Sequence, residues 1–169
     1  VLGSLTIADF CVAPILFRAG NLPIDLAPYP TILRLREALV ARHQGIRWTY
    51  DEFGERVARL AKGLLGLGLE VGDRVGLWSP NYAEWTLLQY ASARIGVILV
   101  CVNPAYRSHE LSYVVKQSGM RMLVSAVQHK TSDYRAMVAE VRDQLPALES
   151  VIFLDSPEWD ELLASAASV

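Results

Sequence analysis

Residues 74–125, RVGLWSPNYAEWTLLQYASARIGVILVCVNPAYRSHELSYVVKQSGMRMLVS, alternate short apolar runs with helical patterns. RVGLW (74–78) reads as a strand. Asn81 is placed to cap a helix, with Glu84 at the box position. Trp85, Leu88 and Ala91 line its inner face, and Gly96 follows its end. VILVCV (97–102) is the next strand, apolar on both faces as a central parallel strand should be. Ser108 opens a short helix carrying Leu111, Val114 and Val115, closed by Gly119, and MLVS (122–125) is a strand again. Strand, helix, strand, helix in this order means a parallel sheet with helices on its faces.

The pattern extends both ways. Downstream, Thr131 or Ser132 caps a helix with Tyr134, Met137, Val138 and Val141, stopped near Pro146. VIFL (151–154) is a strand, and Ser156-Pro157 opens a last helix with Trp159, Leu162 and Leu163, proline at its favoured first position. Upstream, EALVAR and IRWT flank His43-Gln44-Gly45 and read as a hairpin. Thr49 and Glu52 form a capping box for a helix whose face is Phe53, Val57, Leu60, Ala61, Leu64 and Leu65. Gly54 and Gly63 oppose that helix by roughly 0.5–1 kcal/mol each. Each large apolar anchor contributes roughly 1.5–3 kcal/mol on burial, so the helix prevails. Gly66 and Gly68 supply its stop. Residues 1–35, broken by Pro14, Pro23, Pro28 and Pro30, read as an irregular arm. The expected fold is α/β: a three-layer, mostly parallel sheet with helices on both faces, preceded by a short hairpin.

The totals narrow the function. The 169 residues suffice for one domain. Hydrophobic residues make up 52% and charged ones 20%, a globular composition. A net charge of −2 gives no electrostatic case for nucleic acid or an anionic membrane surface. No run approaches the roughly 20 apolar residues of a membrane span, and no basic segment precedes FCVAPILF (10–17) to make a signal peptide. Cys11 and Cys101 form no CxxC pair, and Cys101 is expected to pack as a small buried hydrophobe. Two cysteines favour a reducing compartment, the cytoplasm or alternatively the mitochondrial matrix. A start at Val1 rather than Met reads as a fragment of a longer product.

In such a sheet, ligands sit beyond the carboxyl ends of the strands. The tips are Ser79-Pro80-Asn81, Asn103–Ser108, Ser125–Ser132 and Asp155-Ser156. Gly66-Leu67-Gly68 with Gly72 follows a helix and leads into a strand, the reverse of a phosphate loop, and no GxxxxGK[ST] occurs. No GxSxG elbow exists, and the three scattered histidines, His43, His109 and His129, make neither a triad nor a zinc site. Glu52 and Glu84 are explained as capping-box partners and Asp73 as turn chemistry. The four tryptophans fall on or beside periodic apolar positions. The tip Asn103–Arg107 offers an amide, a phenol and a guanidinium past a central strand. Arg107 could hold a phosphate bidentately, pair with Glu110, or be solvated. Lys130 occupies the next tip.

Two segments resemble one family: WTYDEFGERVARLAKGLLGLGLEVGDRVGLWSPNYAEW (48–85) and ARIGVILVCVNPAYRSHELSYVVKQSGMRMLVSA (93–126). They look like the amino-terminal region of AMP-forming acyl-CoA synthetases, relatives of luciferases and of peptide-synthetase adenylation domains. GDRVGLWSPNYAEW followed by VNPAYRSHEL is nearest to the medium-chain synthetases of mitochondrial type and their bacterial counterparts. The resemblance runs from about Arg36 to Asp155. It implies a partial domain of a larger enzyme, with residues 36–169 an amino-terminal subdomain. It also implies a fatty acid, ATP with magnesium, and coenzyme A as the parent's reactants. The family's Ser/Thr/Gly-rich phosphate loop and its later motifs have no match here. The chain alone is therefore expected to lack activity, to hold none of these ligands tightly, and to carry no catalytic residue. By analogy of position, Tyr106, Arg107 and Lys130 are candidates to meet the nucleotide part of coenzyme A. Two readings stand beside this one: a non-catalytic binding or interaction domain derived from such a ligase, and a small nucleotide-binding module. The missing strand–glycine–helix signature counts against the module. Cut from its parent, the sheet is expected to leave apolar surface uncovered and to self-associate.

Overall fold

The computed structural model describes residues 39–41 and 46–165. The proposed arm over residues 1–35, Cys11 and the hairpin turn His43-Gln44-Gly45 lie outside the described residues. The chain divides into two compact units, residues 1–56 and 57–169.

In the first unit, strands β1 (Leu39–Ala41) and β2 (Ile46–Trp48) pair antiparallel, Leu39 opposite Trp48. This is the expected hairpin. Helix α1 (Tyr50–Gly66) begins beside it. Its capping box forms as read: Thr49 N–H donates to Glu52 Oε2 at 2.7 Å, and Glu52 N–H to Thr49 Oγ1 at 3.2 Å. The Arg56 guanidinium lies 4.9 Å from the centre of the Trp48 ring.

The second unit is the α/β body. After α1 come strand β3 (Arg74–Trp78), helix α2 (Ala83–Arg94), strand β4 (Ile98–Val102), helix α3 (Ser108–Ser118) and strand β5 (Met122–Ser125). A small antiparallel pair follows, β6 (Gln128–His129) with β7 (Ser132–Asp133). Helix α4 (Tyr134–Val141) then leads through a 3₁₀ turn (Arg142–Gln144) to strand β8 (Ser150–Phe153) and helix α5 (Pro157–Ser165). The four long strands are parallel, in the order β4-β3-β5-β8.

Strand alternation sorts the residues into two faces. Gly76, Trp78, Val100, Val102 and Leu123 point to one. Trp78, Val102 and Leu123 pack there with Leu111 and Val115 of α3 and Tyr134, Val138 and Val141 of α4. Val75, Leu77, Met122 and Val124 point to the other and are buried there. The remaining helices carry the buried rows Leu60 and Leu64, Leu87 and Leu88, and Trp159 and Leu162. The result is the expected three-layer sandwich.

Helix ends obey local chemistry. Leu69 N–H donates to Leu64 O and Gly68 N–H to Leu65 O, with Gly68 at φ +78°. That is the Schellman pattern, and it needs glycine's left-handed freedom. Gly119, at φ +63°, closes α3 in the same region.

Six readings are corrected. Asn81 does not cap α2: Tyr82 holds that position without a side-chain bond, and Glu84 forms no box. The inner face of α2 is Leu87, Leu88 and Ala91, with Trp85 half-buried. Asp133, rather than Thr131 or Ser132, caps α4, its Oδ1 accepting from Ala136 N–H at 2.9 Å. Among the described residues β4 is an edge strand rather than a central one, and Cys101 on it is exposed rather than buried. Gly63, read as a cost to α1, is a packing requirement. A Cβ there would lie 2.5 Å from the Leu162 carbonyl oxygen of α5.

Candidate functional site

The paired registers bring the strand ends level: Trp78 lies opposite Val102 and Ser125, and Ser125 opposite Phe153. The loops beyond them share one end of the sheet, where parallel α/β folds bind ligands.

Two buried aromatics organise this end. Trp78, last residue of β3, stacks on Tyr134, first residue of α4, with ring centres 4.0 Å apart and planes 12° apart. Each directs its polar atom at one of two consecutive carbonyls. Trp78 Nε1–H donates to Asn103 O at 3.1 Å, and Tyr134 O–H to Pro104 O at 2.6 Å. Both rings are buried, so a polar atom without a partner would cost roughly 1–3 kcal/mol. The loop after β4 is thus anchored on two elements. Within it, Asn103 Oδ1 accepts from Ala105 N–H at 2.9 Å, and Tyr106 N–H donates to Asn103 O at 3.0 Å. These are an Asx turn and a backbone turn.

That scaffold presents the candidate residues. Tyr106 is half-buried and packs against the core that holds Trp78 and Tyr134. Arg107 is exposed at the cap of α3. Glu110 Oε2 accepts from the Arg107 main-chain N–H at 3.0 Å, and the bond from Glu110's own backbone, then this one from Arg107, hold the Glu110 carboxyl below its usual range. Burial pushes the Tyr134 phenol up, and the nearby Arg107 charge opposes that. Ser108 Oγ–H donates to Glu140 Oε2 at 2.6 Å, tying α3 to α4. Lys130 stands exposed at the β6–β7 turn with φ +53°. It shares the end of the sheet but belongs to a separate hairpin. Tyr106 and Arg107 thus sit on one anchored loop, and Lys130 on the β6–β7 turn.

Tyr82, beyond β3, lies near two carboxylates. Burial first, then the charges of Asp155 and Glu84, push the Tyr82 phenol above its ordinary value. Glu84 Oε2 is buried and, among the described residues, has no hydrogen-bond partner. The Arg135 guanidinium lies 4.4 Å from the Phe153 ring centre. Chemically, this end offers cations, phenols and turns that can bind and position. Among the described residues no group of three or more His, Cys, Asp or Glu side chains could hold a metal ion. No described helix is long and apolar enough to cross a membrane.

The sequence singles out the tip as a candidate and leaves its anchors unmarked. Trp78 read as core, and nothing in its local pattern signals that its indole N–H reaches Asn103, 25 residues away. Tyr134 likewise reads as part of an apolar helical face. Its phenol oxygen on a buried helical position was the available signal.

Comparison with known proteins identifies the setting. The medium-chain acyl-CoA ligase ACSF2, mitochondrial, of Macaca fascicularis is 40% identical over 151 residues, covering 79% of this chain and 24% of its own length. The human protein of that name is 42% identical over 135 residues, covering 72% and 22%. The putative acyl-CoA synthetase YngI of Bacillus subtilis (strain 168) is 36% identical over 115 residues, covering 66% and 21%. This chain thus spans about a quarter of the length of the curated relatives it matches. Among solved structures, the N-terminal domain of FACL13 from Mycobacterium tuberculosis superposes with a TM-score of 0.71 at 24% identity, covering 93% of this chain and 36% of that one. A putative long-chain-fatty-acid CoA ligase from Rhodopseudomonas palustris CGA009 gives 0.64 at 30% identity, covering 92% and 34%. The sequence model of the AMP-binding enzyme matches residues 34–169. With most of its length inside that match, and its parallel sheet superposing on acyl-CoA ligases, the chain belongs to the AMP-binding enzyme family.

Proposed function

We propose that this chain is the amino-terminal portion of a fatty acid–CoA ligase. In the proposed reaction a fatty acid carboxylate oxygen attacks the α-phosphorus of ATP, and pyrophosphate leaves. The sulfur of coenzyme A then attacks the acyl carbonyl carbon of the adenylate, and AMP departs with the bonding electrons. The observation that carries this reading is the family match over residues 34–169, together with relatives named as medium-chain acyl-CoA ligases. Catalysis of this kind relies on positioning groups and stabilising charge.

Within that enzyme the segment supplies a binding and positioning surface. Tyr106, Arg107 and Lys130 are proposed to meet the nucleotide part of coenzyme A, the anchored Asn103–Arg107 loop holding the first two in place. Arg107 suits a phosphate because its planar fork donates two parallel hydrogen bonds. Magnesium would accompany ATP, but the described residues do not fit a site for it. This chain is not expected to complete the reaction alone. Of the two compartments considered, the name of the ACSF2 relatives favours the mitochondrial one.

An antibody against Tyr106–Gln117, applied to source cells, tests the reading. A band several times the 18.7 kDa of this chain supports it. A band near 18.7 kDa that does not form acyl-CoA replaces it with the non-catalytic binding domain. In the larger product, Arg107→Ala is expected to raise the KM for coenzyme A about tenfold with kcat retained, the pattern of lost uniform binding. An unchanged KM removes Arg107 from the site.

A further inference from the structure

Tyr134 stands between the two tips that carry the proposed contacts. Its main-chain N–H donates to Val127 O at 3.0 Å, and the Arg135 N–H donates to the same oxygen at 3.3 Å. Those bonds close the base of the β6–β7 hairpin, whose turn carries Lys130. The Tyr134 O–H donates to Pro104 O at 2.6 Å, in the loop that carries Tyr106 and Arg107. One residue thus holds both tips, the hairpin by its backbone and the loop by its phenol.

Packing explains the ring but not the hydroxyl. The ring is fully buried in the cluster that includes Leu111, Val115 and Val138, and phenylalanine would fill the same space. A buried hydroxyl is costly unless it is hydrogen-bonded. Its partner here is a carbonyl of the loop rather than a group of the core. Trp78, stacked on the ring, holds the preceding carbonyl, Asn103 O, through its indole N–H. The Arg107 charge is felt at the phenol, where it opposes the upward push of burial. Ser108 Oγ–H to Glu140 Oε2, at 2.6 Å, adds a second tie between α3 and α4 at this end.

We propose that Tyr134, steadied by Trp78, is a positioning residue: its hydroxyl fixes the Asn103–Arg107 loop against the hairpin and so sets where Arg107 meets a phosphate relative to Lys130. Tyr134 touches no reactant in this role and acts through Arg107. The role rests on the assignment of Arg107 and Lys130 to the nucleotide part of coenzyme A. A guanidinium fork holds a phosphate by two parallel hydrogen bonds, so a small shift of its loop forfeits part of the contact.

Steady-state kinetics of the larger product, with Tyr134→Phe, Arg107→Ala and the double variant, tests it. Tyr134→Phe is expected to raise the KM for coenzyme A about fivefold, the factor that one ordinary hydrogen bond contributes. The kcat and the KM for ATP should be kept. In the Arg107→Ala background the same change should move the KM for coenzyme A by less than about twofold, because the cation it positions is gone. A merely structural role would act in full in either background. Hydrogen exchange over residues 103–107 should quicken in Tyr134→Phe while that over Met122–Ser125 keeps its rate. Should Tyr134→Phe lose its far-ultraviolet circular dichroism, Trp78→Phe, which removes the other donor to this loop, is carried through the same cycle. Equal effects with and without Arg107, an unchanged KM for coenzyme A in Tyr134→Phe, or unchanged exchange over residues 103–107 overturns the proposal; a KM that Arg107→Ala still raises then leaves the coenzyme A assignment standing. A KM unmoved by Arg107→Ala removes that assignment, and the role of Tyr134 with it.

Discussion

At the residue scale, single atoms decide the two sharpest consequences of the fold. Tyr134 O–H holds Pro104 O at 2.6 Å beneath a stacked tryptophan. Tyr134→Phe keeps the ring and removes the bond, leaving a carbonyl short of a donor. A loss of about 1 kcal/mol in urea unfolding is expected, with Trp78 fluorescence reporting the changed environment. Gly63 gives the opposite lesson from its usual reading. Alanine at a helix interior gains up to about 1 kcal/mol over glycine. Here its methyl would meet the Leu162 backbone oxygen, which cannot swing aside as a flexible side chain would. Overpacking of that kind costs roughly 1–3 kcal/mol, so Gly63→Ala should lower the unfolding midpoint. A raised midpoint would show that α5 moves freely against α1. The sequence showed glycine inside a helix; it could not show what stood across from it.

At the element scale, the chain order of the longer strands and the helices was legible, the short β6–β7 pair was not, and element ends were less so. The box at Thr49–Glu52 formed because both partners lie within one turn, where spacing alone brings them together. The box expected at Asn81–Glu84 did not form: α2 starts after Tyr82, and Glu84 is drawn into partial burial. The missed β6–β7 pair moved the cap of α4 to Asp133. These outcomes separate two substitutions that look alike in sequence. Asp133→Ala should cost about 1 kcal/mol by removing the acceptor for Ala136 N–H. Asn81→Ala should change stability little, because Asn81 caps nothing. Thermal unfolding of both chains checks the pair, and equal losses would contradict the assignment.

At the scale of the whole molecule, the two ends of the sheet have separate work. The carboxyl end presents the tips. The amino end is clipped by Arg121, which pairs with Asp73 before β3 and Glu149 before β8. The Glu70 amide, then Arg121, hold the Asp73 carboxyl below its ordinary value, and Arg121 does the same for Glu149. Depressed carboxylates stabilise the fold above their unfolded range near roughly pH 4. That stability is lost as pH falls through the lower folded values. Urea midpoints should therefore stay level near neutrality and fall below about pH 4. Arg121→Met should be less stable at neutral pH and show a flatter acid decline. An identical decline in both chains would mean the clip does not govern it. The sequence by itself determined the α/β class, the parallel order of elements, the strand tips as the candidate site and the family. All of these rest on periodicity and motifs between near neighbours. Tertiary structure alone decided which strand lies at the edge, why Gly63 is glycine, and that Trp78 and Tyr134 anchor the Asn103–Pro104 loop. Each of those is a contact between residues far apart in the chain, and its partner is fixed only when the sheet assembles.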